Sequence, residues 1–315
     1  MDYVLGIDGG GTSTVCLLAT CEGQVVAQAA APASNYRKTD LHEACESIAA
    51  GVRAVWEQIG QQTAERPRLA AACAGLAGVD TPGDAALLRR MLSEVVLADQ
   101  LLVVNDGEIA LHGALADEPG VLVISGTGSI VWATAADARR VRVGGWDYIL
   151  SDEGSGYSIG LRVLRAVAAA HDQRTAPTLL TGEVLRAFRA EDFNELLGII
   201  YHEEMTPQRI ASLAPLADRA AVGGDAVAAR VIEEAAKELV QLTLSAVRLA
   251  ELSDCSFPLV PMGGALLADG IFARRFREMM ASCVPHMRLI EARHSPAEGA
   301  VSLALRELSQ GIRAS

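Results

Sequence analysis

Long apolar runs are missing from this chain. No segment approaches the roughly 18 uncharged apolar residues that a membrane-spanning helix needs, and Met1 leads within four residues into a strand pattern rather than a secretory leader. Both absences point to the cytoplasm. Lysine is scarce as well: Lys38 and Lys237 stand alone among basic residues that are otherwise all Arg, and 27 basic against 39 acidic residues leave a net charge of -12. That balance offers no electrostatic footprint for nucleic acid or for an anionic membrane. Paired cysteines are lacking too. Cys16, Cys21, Cys45, Cys73, Cys255 and Cys283 include no CxxC, which predicts reduced, buried thiols rather than a disulfide framework or a zinc site. The segment YHEEMT around His202 is not HExxH, and neither GxxxxGK[ST] nor a helix-opening GxGxxG occurs, so the two common nucleotide loops are excluded.

What is present is apolar and glycine-rich. With 315 residues, half of them hydrophobic, the chain can bury a large core and suggests two domains more readily than one. Residues 3–8, 14–21 and 25–30 read as three consecutive strands, the first two joined by GGGTS. A helical stripe follows at Ala44, Ile48, Val52, Val55, Trp56 and Ile59, then a strand at 68–75, a helix near 83–95, a strand at 100–105 and a helix from about 107. The second half opens in the same order. Strands at 120–125, 130–135 and 140–144 precede a helix beginning near Ser155, and GTGS stands where GGGTS stood before. Helices are expected at 178–190, 206–222 and 225–252, the last with Val227, Val231, Ala235, Leu239 and Leu242 on one face. Strands near 258–262 and 287–291 and a helix from Pro296 to about 310 close the chain. The expectation is two lobes around a cleft, with phosphates between two glycine turns whose backbone amides can approach an anion because no Cβ intervenes.

Five segments in order carry a resemblance: GIDGGGTSTVCLLA (6–19), VVNDGEIALHGAL (103–115), VLVISGTGS (121–129), GGWDYILSDEGSGYSIG (144–160) and VPMGGAL (260–266). Together they resemble the N-acetylglucosamine kinase group of the BadF/BadG/BcrA/BcrD ATPase family, within the actin, Hsp70 and sugar kinase superfamily. The resemblance implies a two-lobed actin-like ATPase (ribonuclease H-like) α/β fold with duplicated βββαβαβα domains and a nucleotide cleft between them. Lobe I would be residues 1–115 with the terminal helix 296–315, and lobe II residues 116–295. The implied activity is ATP- and Mg²⁺-dependent phosphorylation of an amino sugar, foremost N-acetylglucosamine, at its 6-hydroxyl, by a homodimer.

The turn after Asp8 offers the amides of Gly10, Gly11 and Thr12. A glycine-stabilised hairpin with a buried aspartate would explain these residues in part, but three glycines exceed what a hairpin needs. By resemblance, Asp8 approaches Mg²⁺ through water and Thr12 meets the β- and γ-phosphates, while Gly126, Thr127 and Gly128 form the second phosphate clamp. Asp106 ends a buried strand just before a helix. It can serve as that helix's N-cap, or as the general base that takes the proton of the sugar hydroxyl as it attacks phosphorus. Similarly, Asp152 or Glu153 either caps the next helix or reaches a sugar hydroxyl beside Trp146. By resemblance, Asn35, Gly145, Trp146 and Asp152 line the hexose, and Gly263 and Gly264 let the backbone close to the adenosine.

Departures from the family bear on specificity. Asn35, Tyr36 and Arg37 stand where animal members have Asn-His-Trp, and Ala77, Gly78 and Val79 where they have a serine before Gly-Gly. Glucosamine, N-acetylglucosamine and N-acetylmuramic acid therefore all stay open as acceptors. Two other functions fit less well. An activator ATPase of the same broad family needs cluster-ligating cysteines, and there are none between Cys73 and Cys255. A non-enzymatic sugar-sensing regulator needs a DNA-binding module ahead of a body whose first strand starts at residue 3.

Overall fold

The computed structural model describes residues 2–60, 69–202 and 205–314, so position 68, the expected start of the fourth strand, lies outside the described residues. The chain divides into two compact units, Met1–Glu118 with Glu291–Ser315, and Pro119–Ile290.

The first unit contains β1 (Tyr3–Gly9), β2 (Ser13–Thr20), β3 (Val25–Pro32), α1 (Leu41–Gln58), β4 (Leu69–Leu76), α2 (Pro82–Leu92), β5 (Ala98–Asn105) and α3 (Asp106–Leu115). Its sheet runs β3-β2-β1-β4-β5, with β2 antiparallel to both neighbours and β1, β4 and β5 parallel. The central strands are buried on both faces, as expected where helices cover each side. Leu5, Ile7, Leu18 and Ala74 pack with Ile48, Val55 and Trp56 of α1 and Leu88 of α2. On the other face, Val4, Leu17, Ala19 and Cys73 pack with Ile109 of α3 and with Ala297, Ala300 and Val301 of the terminal helix.

The second unit contains β6 (Gly120–Ser125), β7 (Ser129–Thr134), β8 (Arg140–Gly144), α4 (Asp147–Leu150), α5 (Gly156–His171), α6 (Leu180–Phe188), α7 (Phe193–His202), α8 (Pro207–Ala211), α9 (Ala214–Val222), α10 (Ala226–Leu249), β9 (Phe257–Met262), α11 (Gly264–Leu267), α12 (Ile271–Cys283) and β10 (Met287–Leu289). The chain then returns to the first unit as α13 (Pro296–Ala314). The second sheet runs β10-β9-β6-β7-β8, with β7 antiparallel to both neighbours and β6, β9 and β10 parallel. Position for position it repeats the first, so the duplicated order expected from sequence is a duplicated topology.

Three expectations are corrected. The helix expected over 206–222 is two helices, because Pro215 in the first turn of α9 cannot donate a hydrogen bond back to Ala211. Helices α4, α7, α11 and α12 were not anticipated, although Phe272, Phe276 and Met280 of α12 are buried at helical spacing. The thiols are not uniformly buried either: Cys16, Cys45 and Cys73 are, Cys21 is half-buried, and Cys255 and Cys283 are exposed in a loop before β9 and at the end of α12. All six are free. Among the described residues, no helix is long and apolar enough to cross a membrane.

Candidate active site

In the first unit the parallel strands deliver polar residues to their carboxyl ends, the edge at which open α/β sheets place ligands. Asp8 of β1 pairs with Gly75 of β4, and Leu76 of β4 pairs with Asn105 at the end of β5. Asp106 is the next residue and opens α3. Burial, and secondarily the charge of Asp106, pushes the Asp8 carboxyl up to about 6. The helix cap is Asn105, whose Oδ1 accepts the Gly107 amide at 2.8 Å, while Asp106 Oδ1 lies 2.9 Å from that same amide. Capping therefore does not fall to Asp106 alone.

The first glycine turn offers less than its sequence suggests. Gly10 donates its amide to Ser13 O at 2.9 Å, closing the turn, and its carbonyl accepts the Ser34 amide at 3.1 Å. Gly10 is thus withdrawn from the expected set of phosphate donors. Gly11 and Thr12 are exposed, and their amides have no acceptor among the described residues. Gly9 is required by space, since a Cβ there would meet Ser34 Oγ at 2.4 Å.

Tied to the turn through Ser34, the next residue, Asn35, is 8% exposed. Its Oδ1 accepts the Arg37 amide at 3.0 Å, while its side-chain NH₂ has no acceptor among the described residues. A donor on a largely buried side chain that is itself open to solvent suits a ligand hydroxyl. Behind it lies a network that sequence reasoning left out. Tyr36 donates to Asp84 Oδ1 at 2.6 Å, and Arg37 donates to Asp84 Oδ2 at 3.0 Å and to Gly78 O at 2.9 Å, with Asp80 at 3.6 Å. The Tyr36 hydroxyl, followed by Thr81, holds the Asp84 carboxyl well below the usual carboxylate range. The one available signal was the Tyr36-Arg37 departure from the family pattern; Asp84 looked only like a helix residue.

In the second unit, the turn between β6 and β7 is braced from behind. Gly126 donates to Gly128 O at 2.9 Å, so its amide too is spent within the turn, and Thr127 is exposed. The first amides of α5, from Gly156 and Tyr157, donate to the carbonyls of Gly126 and Thr127 at 2.8 and 3.0 Å. Ser155 caps α5, so neither Asp152 nor Glu153 does. Asp152 instead accepts the Ser129 amide at 2.9 Å, and a Cβ on Gly128 would meet its carboxylate at 2.8 Å. It is a brace for the turn. Gly263, at φ +87, packs against the same turn, where a Cβ would lie 2.3 Å from Ser125 O.

Beside this turn is a cavity of about 750 Å³, walled by Gly126 and Thr127, by Gly156 and Ile159 of α5, by Ala211, Ser212 and Pro215 around the α8–α9 break, and by Gly264 and Ala268. Its size is that of a small-molecule site. Gly264 has nothing within 4 Å of a Cβ, so it lies open in the wall, while Gly263 serves packing. The α8 and α9 residues were not anticipated, because the sequence pattern places them in the interior of one helix. Gly145, at φ +70, leaves no room for a Cβ against Ile130 at 2.5 Å. Trp146 is 55% exposed, and the Arg142 guanidinium stands 4.4 Å from its ring centroid, so one face of the ring is taken.

The profile of the BadF/BadG/BcrA/BcrD ATPase family matches residues 5–304. The chain belongs to that family. It is 32% identical over 307 residues to a Clostridium acetobutylicum N-acetylmuramic acid/N-acetylglucosamine kinase, covering 98% of this chain and 99% of that one. An N-acetyl-D-glucosamine kinase of Dictyostelium discoideum is also 32% identical, over 96% of this chain and 98% of its own. A solved Chromobacterium violaceum structure, a candidate N-acetylglucosamine kinase, superimposes with a TM-score of 0.78 at 27% identity, covering 97% and 99% of the two chains. The duplicated sheet is thus the actin-like sugar kinase fold that the motif order implied.

Proposed function

We propose that this chain is an ATP-dependent amino-sugar kinase that transfers the γ-phosphoryl group to the 6-hydroxyl of N-acetylglucosamine or a close analogue such as N-acetylmuramic acid. The observation that carries the reading is the grouping of Asp8, Asp106 and the donor-bearing Asn35 at the strand ends of the first unit. Asp106 accepts the proton of the attacking hydroxyl. Asn35 donates to a second sugar hydroxyl and so orients the ring. In the first unit the exposed amides of Gly11 and Thr12 are donors suited to phosphate oxygens; in the second, the cavity beside Thr127 has the size for a nucleoside. Phosphoryl transfer asks mainly for positioning and charge stabilisation, which such groups supply.

A buried carboxylate raised to about 6 beside a second like charge marks a place where a divalent cation is stabilising, and Mg²⁺ is content with one or two carboxylates plus phosphate oxygens. Asp8 would hold it, with Asp106 nearby; when bound it offsets the negative charge of the β- and γ-phosphates. The relatives' names favour N-acetylated sugars. The same reading carries a cytoplasmic homodimer, which sedimentation of the purified protein tests.

The deciding experiment is coupled ADP release over a panel of glucosamine, N-acetylglucosamine, N-acetylmuramic acid and glucose, with Asp106→Asn alongside. Sugar-dependent turnover is expected with an amino sugar, and kcat of the variant is expected to fall by about 10²–10⁴-fold. Turnover indifferent to every sugar defeats the reading, and a variant within a few-fold of wild type defeats the base assignment.

A further inference from the structure

The turn expected to hold phosphate is short of donors. With the Gly10 amide spent on Ser13, only the Gly11 and Thr12 amides remain, and the nearby carboxylates Asp8 and Asp106 repel an incoming triphosphate. A compensating positive charge is needed on this side, and the structure has one in place. A Cβ on Gly11 would lie 3.9 Å from the Nζ of Lys38.

Nothing in the reading above uses Lys38. Its backbone is not loose: its amide donates to Asn35 O at 2.9 Å, Thr39 donates to the same carbonyl at 3.0 Å, and Ser34 ties the segment to Gly10. Its ammonium has no carboxylate partner among the described residues, in a chain of net charge -12. Arg37, one residue earlier, contrasts with it, being committed to Asp84, Asp80 and Gly78 O. One cation is locked into the protein; the next is exposed, with its ammonium near the glycine turn.

We propose that Lys38 is a phosphate-positioning residue, whose ammonium takes the terminal phosphates of the nucleotide above Gly11. The proposal rests on the reading of the site as ATP-using. It differs in kind from the loop motifs, because here the lysine comes from the segment after β3 and not from the phosphate turn itself. A lysine serves as a mobile point charge, able to follow the terminal phosphate from substrate to product.

The test compares Lys38→Gln and Lys38→Arg with wild type in two measurements: affinity for ATP and for AMP by calorimetry, and KM and kcat in the ADP-release assay. AMP lacks the β- and γ-phosphates and so reports the nucleoside site alone. Lys38→Gln is expected to weaken ATP by about tenfold or more while leaving AMP affinity and the KM for sugar unchanged, and Lys38→Arg is expected to recover most of the loss. Equal loss of ATP and AMP, or ATP affinity within twofold of wild type, overturns the proposal. If wild type turns over no sugar yet the ATP–AMP difference depends on Lys38, the kinase reading fails and the proposal stands.

Discussion

The carboxylates of Asp8 and Asp106 are held near enough at the strand ends that the charge of Asp106 adds to burial in lifting Asp8 to about 6. The folded-state pKa lies above the unfolded value, so protonated Asp8 contributes stability fully below about pH 4, and that contribution is lost as pH rises through 6. A rise of this size corresponds to at most about 3 kcal/mol. Asp8→Asn is therefore expected to melt at a higher temperature than wild type at pH 7.5 and alike at pH 4, while losing Mg²⁺-dependent turnover. Thermal melts across pH check this, and a lower melting temperature at pH 7.5 contradicts it. In wild type at limiting Mg²⁺, activity is expected to fall as pH drops below 6, with excess Mg²⁺ shifting the fall to lower pH.

Asp152 accepts the Ser129 amide, and its side chain fills the space behind Gly128. Asp152→Asn keeps an acceptor and is expected to cost little stability, whereas Asp152→Ala leaves a buried amide unmatched and is expected to cost about 1–3 kcal/mol. If the brace serves the phosphate turn, the Ala variant also raises KM for ATP more than KM for sugar. Equal melting of the two variants would count against the brace.

Gly263 combines φ +87 with a Cβ position 2.3 Å from Ser125 O. Gly263→Ala must shift either the turn or α11, at about 1–3 kcal/mol for the backbone strain alone. Gly264→Ala meets no neighbour and is expected to be mild in stability. Chemical denaturation of the two proteins separates the packing glycine from the one in the cavity wall.

Ala268 is exposed on the cavity wall. Ala268→Trp is expected to fill the nucleoside space, raising KM for ATP about tenfold or more with the fold intact, since a large side chain displaces a ligand of comparable size. Unchanged KM for ATP would move the nucleoside elsewhere.

The fold was largely legible in the sequence. Period-2 apolar runs bounded by glycine are local, and β1–β3 and β6–β8 could be read from them because each strand pairs with its sequence neighbour. The order of motifs around Asp8, Asp106 and Thr127 carried the family with them. Less legible were α12, whose stripe follows a glycine turn, and the break between α8 and α9, which depends on the reach of Pro215 back to Ala211.

What the sequence settled by itself was which residue types stand at the ends of which strands, since strand period and turn chemistry act over a few residues. How those groups are used was a tertiary matter. Whether an amide is free or spent, as at Gly10, whether a glycine lies open or is packed, as at Gly264 and Gly263, and which of Arg37 and Lys38 is already neutralised all depend on atoms far along the chain or on the closing geometry of a turn. The cavity shows this most directly: its walls come from Gly126, Ala211 and Gly264, and only packing brings such distant positions around one space.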